Sequence, residues 1–222
     1  MKIEVLTLFP EMYAAMQAGV IGRALAKDTF CLDVINIRDF SEDKHKKTDD
    51  YPFGGGVGMV MTPQPIHSAI LARDPEHRYK RIYLSPKGKK LTQSLVRELA
   101  KEEYLMFLCG SYEGVDERVI ALDIDTEISI GDYILTSGDL AAMVVINAVA
   151  RNIEGVLGSE ESTTEESFSD NYLEYPHYTR PQSFCGLEVP EVLISGNHKK
   201  IDEWRKAKQL EITRERRPDL LK

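Results

Sequence analysis

Ile3, Val5, Leu6 and Leu8 form a short apolar run that predicts a strand ending at Phe9-Pro10, with Pro10 placed to open a helix. Met12, Ala15, Met16, Val20 and Leu25 then recur at helical spacing, predicting one helix as far as Lys27. Leu32, Val34, Ile35 and Ile37 predict a second strand closing at Arg38-Asp39. A polar stretch from Ser41 to Asp50 leads into Tyr51-Pro52-Phe53-Gly54-Gly55-Gly56-Val57-Gly58-Met59. Three consecutive glycines do not make a stable element, so this is a loop, and loops of this length are usually functional or disordered. Its flanking Asp49, Asp50, Tyr51 and Phe53 suit contact with a ligand.

Pro63 starts a helix carrying Ile66, Ala69, Ile70 and Leu71. Arg81 to Leu84 predicts a strand that ends abruptly at Ser85-Pro86-Lys87-Gly88. Leu95 and Leu99 mark a helix to Glu103, with Thr92 as its cap. Tyr104 to Leu108 is almost wholly apolar, which predicts a strand buried on both faces. A short helix follows from Asp116 to Leu122, and a longer one from Asp139 to Asn152 with its apolar face at Leu140, Val144, Val145, Ala148 and Val149. Strands alternating with helices give an α/β fold with a mainly parallel sheet. In such sheets ligands sit beyond the carboxyl ends of the strands, where Ser85-Pro86, Gly110 onward and Gly131 onward all fall.

Composition shifts at Gly155 to Ser169, a polar, acidic and turn-prone stretch that reads as a linker. Beyond it lies a smaller proline-bearing unit with a helix from about Asn197 to Leu210, too short to hold a large core alone. The domains expected are therefore 1–158, a linker at 159–171, and a small C-terminal unit at 172–222. No run approaches the roughly 18 apolar residues of a membrane helix, and Glu4 in the opening strand argues against a signal peptide. Cys31, Cys109 and Cys185 are widely spaced and lack a metal-ligand pattern, so a reduced, cytoplasmic setting is expected, without disulfide or zinc. The net charge of −8 argues against a nucleic-acid partner. Local basic clusters at Lys44 to Lys47, Lys87 with Lys89 and Lys90, Lys199-Lys200 and Arg214 to Arg217 weigh the other way, because they suit a few phosphate contacts.

The stretch from Cys109 to Ala141 organises the chemistry. Gly110-Ser111-Tyr112-Glu113-Gly114 and Ile130 to Leu135 are each rich in turn formers and follow apolar residues. Glycine lets the main chain approach a ligand closely, so two such turns can offer a row of N–H and C=O groups to a flat, polar heterocycle. Ordinary strand-to-helix turns are the competing reading of these residues alone. The glycine spacings match neither a dinucleotide fingerprint nor a P-loop.

Several stretches together go further: LFPEM at Leu8 to Met12, DDYPFGGGVGM at Asp49 to Met59, YLSPKG at Tyr83 to Gly88, CGSYEGVDERV, ISIGDYILTSGDLAA, GVLGSEES, SFSDNYLEYPHYTRP and VPEVLISGNHKKIDEWR. In order and across the whole chain they closely resemble the bacterial tRNA (guanine-N(1)-)-methyltransferase family. The resemblance implies a SPOUT-type α/β domain whose C-terminal part forms a deep trefoil knot, with a small, mostly helical C-terminal domain that binds tRNA. It implies an obligate homodimer that uses S-adenosylmethionine to methylate the guanine just 3′ of the tRNA anticodon.

Carried over position by position, the resemblance puts the methyl-donor pocket at Leu84, Ser85, Pro86, Gly110, Tyr112, Glu113, Gly114, Ile130, Gly131, Asp132, Tyr133, Ile134 and Leu135, with Ser137, Gly138 and Ala141 behind. Neutral guanine has no free lone pair at N1, so its methylation calls for a carboxylate base and a cation near the neighbouring carbonyl oxygen. In the family an Asp immediately before Ser-Phe is the base. Here that position is Glu166, one methylene longer, and Asp170 is the fallback; the matching cation is Arg151. Further departures are Glu154 in place of Pro, and Ser137, Asp139 and Ala141 in place of Gly, Glu and Pro. The chain also stops earlier than many members, so some tRNA-stem contacts are expected to be absent.

For tRNA binding the candidates are Asp50, Tyr51, Gly55, His177, Tyr178, Arg180, Ser195, Gly196, Asn197 and His198, since interleaved aromatics and cations can stack a flipped base and hold phosphates. Asn197 is equally placed to cap the last helix. The resemblance carries an expectation of Mg2+, with Glu113 an indirect site, although no metal-ligand cluster is present and no protein-held metal is expected. The alternatives are a SPOUT enzyme for another nucleotide or a ribose oxygen, and a catalytically decayed RNA-binding relative.

Overall fold

The computed structural model describes residues 1–157, 166–168 and 171–221. The chain divides into two compact units, Met1–Gly158 and Ser159–Lys222. Most of the linker expected at 159–171, and Asp170 within it, lies outside the described residues.

In the first unit β1 (Lys2–Thr7) leads to a 3-10 segment (Pro10–Gln17), α1 (Gly19–Ala26) and β2 (Cys31–Asn36). A two-residue hairpin, β3 (Asp49–Asp50) with β4 (Val60–Met61), is followed by α2 (Pro63–Arg73), β5 (Lys80–Lys90) and α3 (Gln93–Leu99). The order continues with β6 (Tyr104–Cys109), α4 (Glu117–Asp123), β7 (Thr126–Ser129) and α5 (Asp139–Ala150). The main sheet has five strands in the order β2-β1-β6-β5-β7, and all four pairings are parallel. The expected α/β fold with a parallel sheet is present.

Each face of that sheet carries its own core, as a strand's period of two requires. Along β6, Leu105, Phe107 and Cys109 face α1, α3 and α5, together with Ile3, Val5, Ile82 and Ile128. The alternate residues Met106 and Leu108 face α2 and α4, packed with Leu6, Ile66, Ile70 and Val119. Thr92 caps α3 by accepting from the Leu95 amide at 3.3 Å, and Asp116 caps α4 through the Arg118 amide at 3.0 Å.

Five local expectations are corrected. The first helix is broken, because Gly19 takes a φ of +64° and separates the 3-10 segment from α1. Ile37 leaves the second strand and opens a 3-10 turn, Ile37–Phe40, capped by Asn36. β5 does not stop at Leu84 but runs to Lys90, its register against β7 slipping between Leu84 and Lys89. α3 ends at Leu99 rather than Glu103. On α5 the buried face is Ala141, Ala142, Val145, Ile146, Val149 and Ala150, while Leu140 and Val144 are 46% and 47% exposed. That helix is apolar almost all round, so periodicity could not choose a face; the alanines let the backbone sit close to the sheet.

In the second unit β8 (Ser183–Phe184) and β9 (Leu187–Glu188) form a hairpin, followed by α6 (Glu191–Ile194), α7 (His198–Arg216) and a 3-10 turn (Pro218–Leu221). The last helix is longer than expected at its C-terminal end. Thr213, buried on α7, accepts from the Leu173 amide at 2.8 Å, and the Arg205 guanidinium lies 4.8 Å from the Tyr175 ring centre.

One charged cluster is built around Glu4 of the interior strand β1. Glu4 is buried and accepts from Arg73 at 2.7 and 2.9 Å and from the Tyr79 hydroxyl at 3.0 Å, with Lys2 Nζ at 2.8 Å. Burial alone would raise its pKa, but the hydrogen bonds from Arg73, Lys2 and Tyr79 outweigh burial and hold the carboxyl below its usual value. A lowered folded pKa contributes stability above the unfolded value and loses it as pH falls through the folded value. Arg73→Ala is therefore expected to cost about 3 kcal/mol at pH 7 by leaving the buried carboxylate under-paired. Glu4→Gln should flatten the fall in stability below about pH 4. Urea unfolding as a function of pH checks both.

Candidate functional site

The middle of β5, from Tyr83 to Lys87, and the carboxyl ends of β6 and β7 open into one cleft of about 410 Å³, a size that accommodates a small ligand. Its wall is mostly main chain. After β6 the segment Gly110–Val115 turns along the cleft. It is stitched to the end of the glycine-rich loop by Glu113 N–H to Met59 O at 3.0 Å, Met61 N–H to Gly114 O at 2.9 Å and Asp116 N–H to Met61 O at 3.1 Å. Gly58 is required at this junction: at φ +90°, a Cβ would lie 2.6 Å from Glu113 Cγ. The opposite wall, 130–138, is joined to the first by Gly138 N–H to Gly110 O at 2.8 Å and by a bridge between Ser111 and Ser137.

Leu84, Ser85, Pro86, Gly110, Tyr112, Glu113, Gly114, Ile130, Gly131, Tyr133, Ile134, Leu135, Ser137, Gly138 and Ala141 line this cleft, all of them pocket residues expected from the sequence. Asp132 does not; its side chain is 94% exposed and lies 3.8 Å from Lys90. Tyr83, Ser111, Glu117, Glu127 and Thr136 also line the cleft and were not expected from the sequence. Tyr83 and Glu127 are register partners on β5 and β7, a pairing that no local pattern reveals. Burial, with Glu127 nearby, pushes the Tyr83 hydroxyl up to about 12, so it stays protonated at neutral pH. The Ser111 hydroxyl is buried without a hydrogen-bond partner among the described residues.

Glu113, Glu117 and Glu127 give the lining three carboxylates against the one ammonium of Lys87. Lys87 lies 4.0 Å from Glu117 in an exposed pair. The surplus favours a ligand with positive charge. Apolar Ile130, Tyr133 and Leu135 supply surfaces for a flat ring.

The other candidates are each placed within their own unit. Arg151 is the half-buried C-cap residue of α5 in the first unit, and Glu166 is half-buried in the second. Asp50 sits in β3, and Tyr51 and Gly55 follow in the exposed loop. His177 pairs with Glu174 at 2.9 Å, Tyr178 lies 6.3 Å from Trp204 ring to ring, and Arg180 is exposed. Ser195 donates to Val192 O at 2.7 Å, and Gly196 takes a φ of +71°. Asn197 caps α7 by accepting from the Lys200 amide at 3.2 Å, and His198 opens that helix.

The family model described as tRNA (Guanine-1)-methyltransferase TrmD matches residues 1–222. The chain belongs to this family. Among curated relatives, the tRNA (guanine-N(1)-)-methyltransferase of Carboxydothermus hydrogenoformans is 58% identical over 223 residues, covering 100% of this chain and 88% of its own. The relative of that name from Clostridioides difficile is 54% identical and covers 100% of this chain and 98% of its own. That of Caldanaerobacter subterraneus subsp. tengcongensis is 58% identical, covering 100% and 92%.

In this family member the closure of the two walls depends on a residue without a side chain. A Cβ on Gly138 would meet Cys109 Cα and Gly110 N at 3.1 Å and Leu84 Cβ at 3.3 Å. These neighbours are strand backbone and a buried core atom, which yield poorly. Gly138→Ala is therefore expected to cost about 1–3 kcal/mol, read as a fall in thermal unfolding midpoint.

Proposed function

We propose that this chain transfers the methyl group of S-adenosylmethionine to N1 of the guanine immediately 3′ of the tRNA anticodon. The observation that carries the reading is the match along the whole chain to relatives that bear the name tRNA (guanine-N(1)-)-methyltransferase. The cleft supports it. Its volume, its main-chain donors and acceptors and its apolar faces fit an adenosine, and its carboxylates fit the positive charges of the sulfonium and the amino group. Leu84, Gly110, Gly114 and Ile130 to Leu135 would hold the nucleoside, while Glu113, Glu117 and Glu127 would face the cationic end. Bound there, S-adenosylmethionine supplies an electrophilic methyl group.

The chain's own residues supply the proton chemistry. Glu166 accepts the N1 proton of the guanine, with Asp170 the fallback. Arg151 holds the negative charge that develops on the neighbouring carbonyl oxygen. Asp50, Tyr51, Gly55, His177, Tyr178, Arg180 and the Ser195–His198 segment contact the tRNA. The first unit is the donor-binding domain with a trefoil knot of SPOUT type, residues 159–171 form the linker, and 172–222 bind tRNA. The protein works in the cytoplasm as a homodimer; the exposed Leu140 and Val144, one helical turn apart on α5, supply an apolar stripe that such a partner would cover. Among the described residues no three His, Cys, Asp or Glu side chains converge as metal ligands; Mg2+ would be held only indirectly, at Glu113. None of the helices among the described residues is long and apolar enough to cross a membrane.

The test is transfer from labelled S-adenosylmethionine to two tRNA transcripts that differ only in guanine or adenine just 3′ of the anticodon. Transfer to the guanine transcript alone, falling by about 10²–10⁴ with Glu166→Gln, is the expected result. A loss with Asp170→Asn instead moves the base. Transfer to both transcripts points to a SPOUT enzyme for another nucleotide or ribose. Donor binding without turnover on either makes the chain an RNA-binding relative.

A further inference from the structure

Beneath the cleft lies a carboxylate that no ligand can reach. Asp139, the first residue of α5, is fully buried. Its Oδ1 accepts from Thr7 Oγ1 at 2.5 Å and from the Tyr13 hydroxyl at 3.2 Å. Its Oδ2 accepts from Ser137 Oγ at 2.7 Å. The Tyr13 hydroxyl also lies 3.3 Å from Cys109 Sγ. The donors thus come from strand β1, from the 3-10 segment after it, and from the cleft wall itself.

A buried carboxylate is costly unless its lone pairs are taken. Three donors and its place at a helix N-terminus, which favours negative charge, offset that cost. An apolar residue would fill the same space without it. The amide of residue 139 reaches Ser137 Oγ at 3.4 Å whatever its side chain, but an apolar side chain would give the Ser137 hydroxyl no acceptor. Ser137 and Gly138 both line the cleft, and Gly138 ties that wall to Gly110. We infer that Asp139 is a positioning residue: it couples strand β1 to the Ser137–Gly138 turn and so fixes the wall against which the methyl donor binds. The inference rests on the cleft being the donor site.

S-adenosylhomocysteine, the demethylated donor, is titrated calorimetrically into the full-length protein and its variants. Asp139→Asn is expected to weaken binding roughly tenfold, the order of a lost hydrogen bond to a charged group. Thr7→Val, which keeps the side-chain volume and lines no part of the cleft, should weaken it by a smaller factor. If Asp139 acts through Ser137, the double variant Asp139→Asn with Ser137→Ala binds no more weakly than the weaker single variant, since coupled residues are not additive. Asp74→Asn breaks a buried pair with Arg81 at 2.7 Å, away from the cleft; it should lower the unfolding temperature and leave binding unchanged. A merely structural Asp139 would weaken binding no more than Asp74→Asn at equal loss of stability, and that result overturns the inference. So do full additivity in the double variant and wild-type affinity in Asp139→Asn. Should Asp139→Asn fail to fold, Thr7→Val decides alone, wild-type affinity there overturning the coupling. No binding by the wild-type protein overturns the donor-site reading itself, and this inference with it.

Discussion

The hydrogen bond from the Gly138 amide to the Gly110 carbonyl, at 2.8 Å, is the contact on which the cleft depends. It joins two segments that leave different strands and would otherwise diverge. Because both walls meet main chain to main chain, side chains are excluded from the seam, and the groups left over can turn toward a ligand. The residues at the seam have little freedom: Cys109 is buried under it, Leu84 packs beside it and Asp139 lies behind it. A site made of backbone is as rigid as the sheet that carries it, and this sheet buries apolar side chains on both faces.

A second constraint acts from the other side. The glycine-rich loop between β3 and β4 returns to the Gly110–Val115 segment through several main-chain bonds. Its own Tyr51, Phe53 and Val57 remain exposed. The loop is therefore anchored at the cleft and open toward solvent, an arrangement that puts exposed aromatic side chains next to a pocket for a small ligand. Exposed aromatic residues on a surface otherwise rich in charge are the kind that stack on unpaired bases.

Much of this was legible in the sequence, and what was not has physical reasons. β1, β6 and the capped helices α3 and α4 follow from runs, periodicity and cap residues that act over a few positions. The pocket turns around Gly110 and Gly131 stood out because glycine marks places where backbone comes close to something. Where the reading failed, the deciding interaction was distant. β5 continues past Pro86 because β7 offers it a shifted register. Ile37 turns away from the sheet because Asn36 caps a 3-10 turn. α5 shows its alanines to the sheet because close packing, not hydrophobicity, chooses among apolar faces. Tyr83 and Glu127 reach the cleft through strand pairing, and the linker stretch carries no periodic signal of any kind.

Charge gives the two substrates of the proposed reaction different routes. A net charge of −8 disfavours RNA, but at physiological salt exposed charges act on one another only within a Debye length of about 8 Å. Attraction must therefore come at short range, from clusters such as Lys44 to Lys47 and Lys199-Lys200. The cleft does the reverse. Its three carboxylates outnumber its one ammonium, and they favour a small cation. The same negative lining disfavours entry of a phosphate chain. An acidic cleft thus suits the small cationic ligand of the proposed reaction, and an unstacked base, unlike a phosphate, brings no negative charge for that lining to repel.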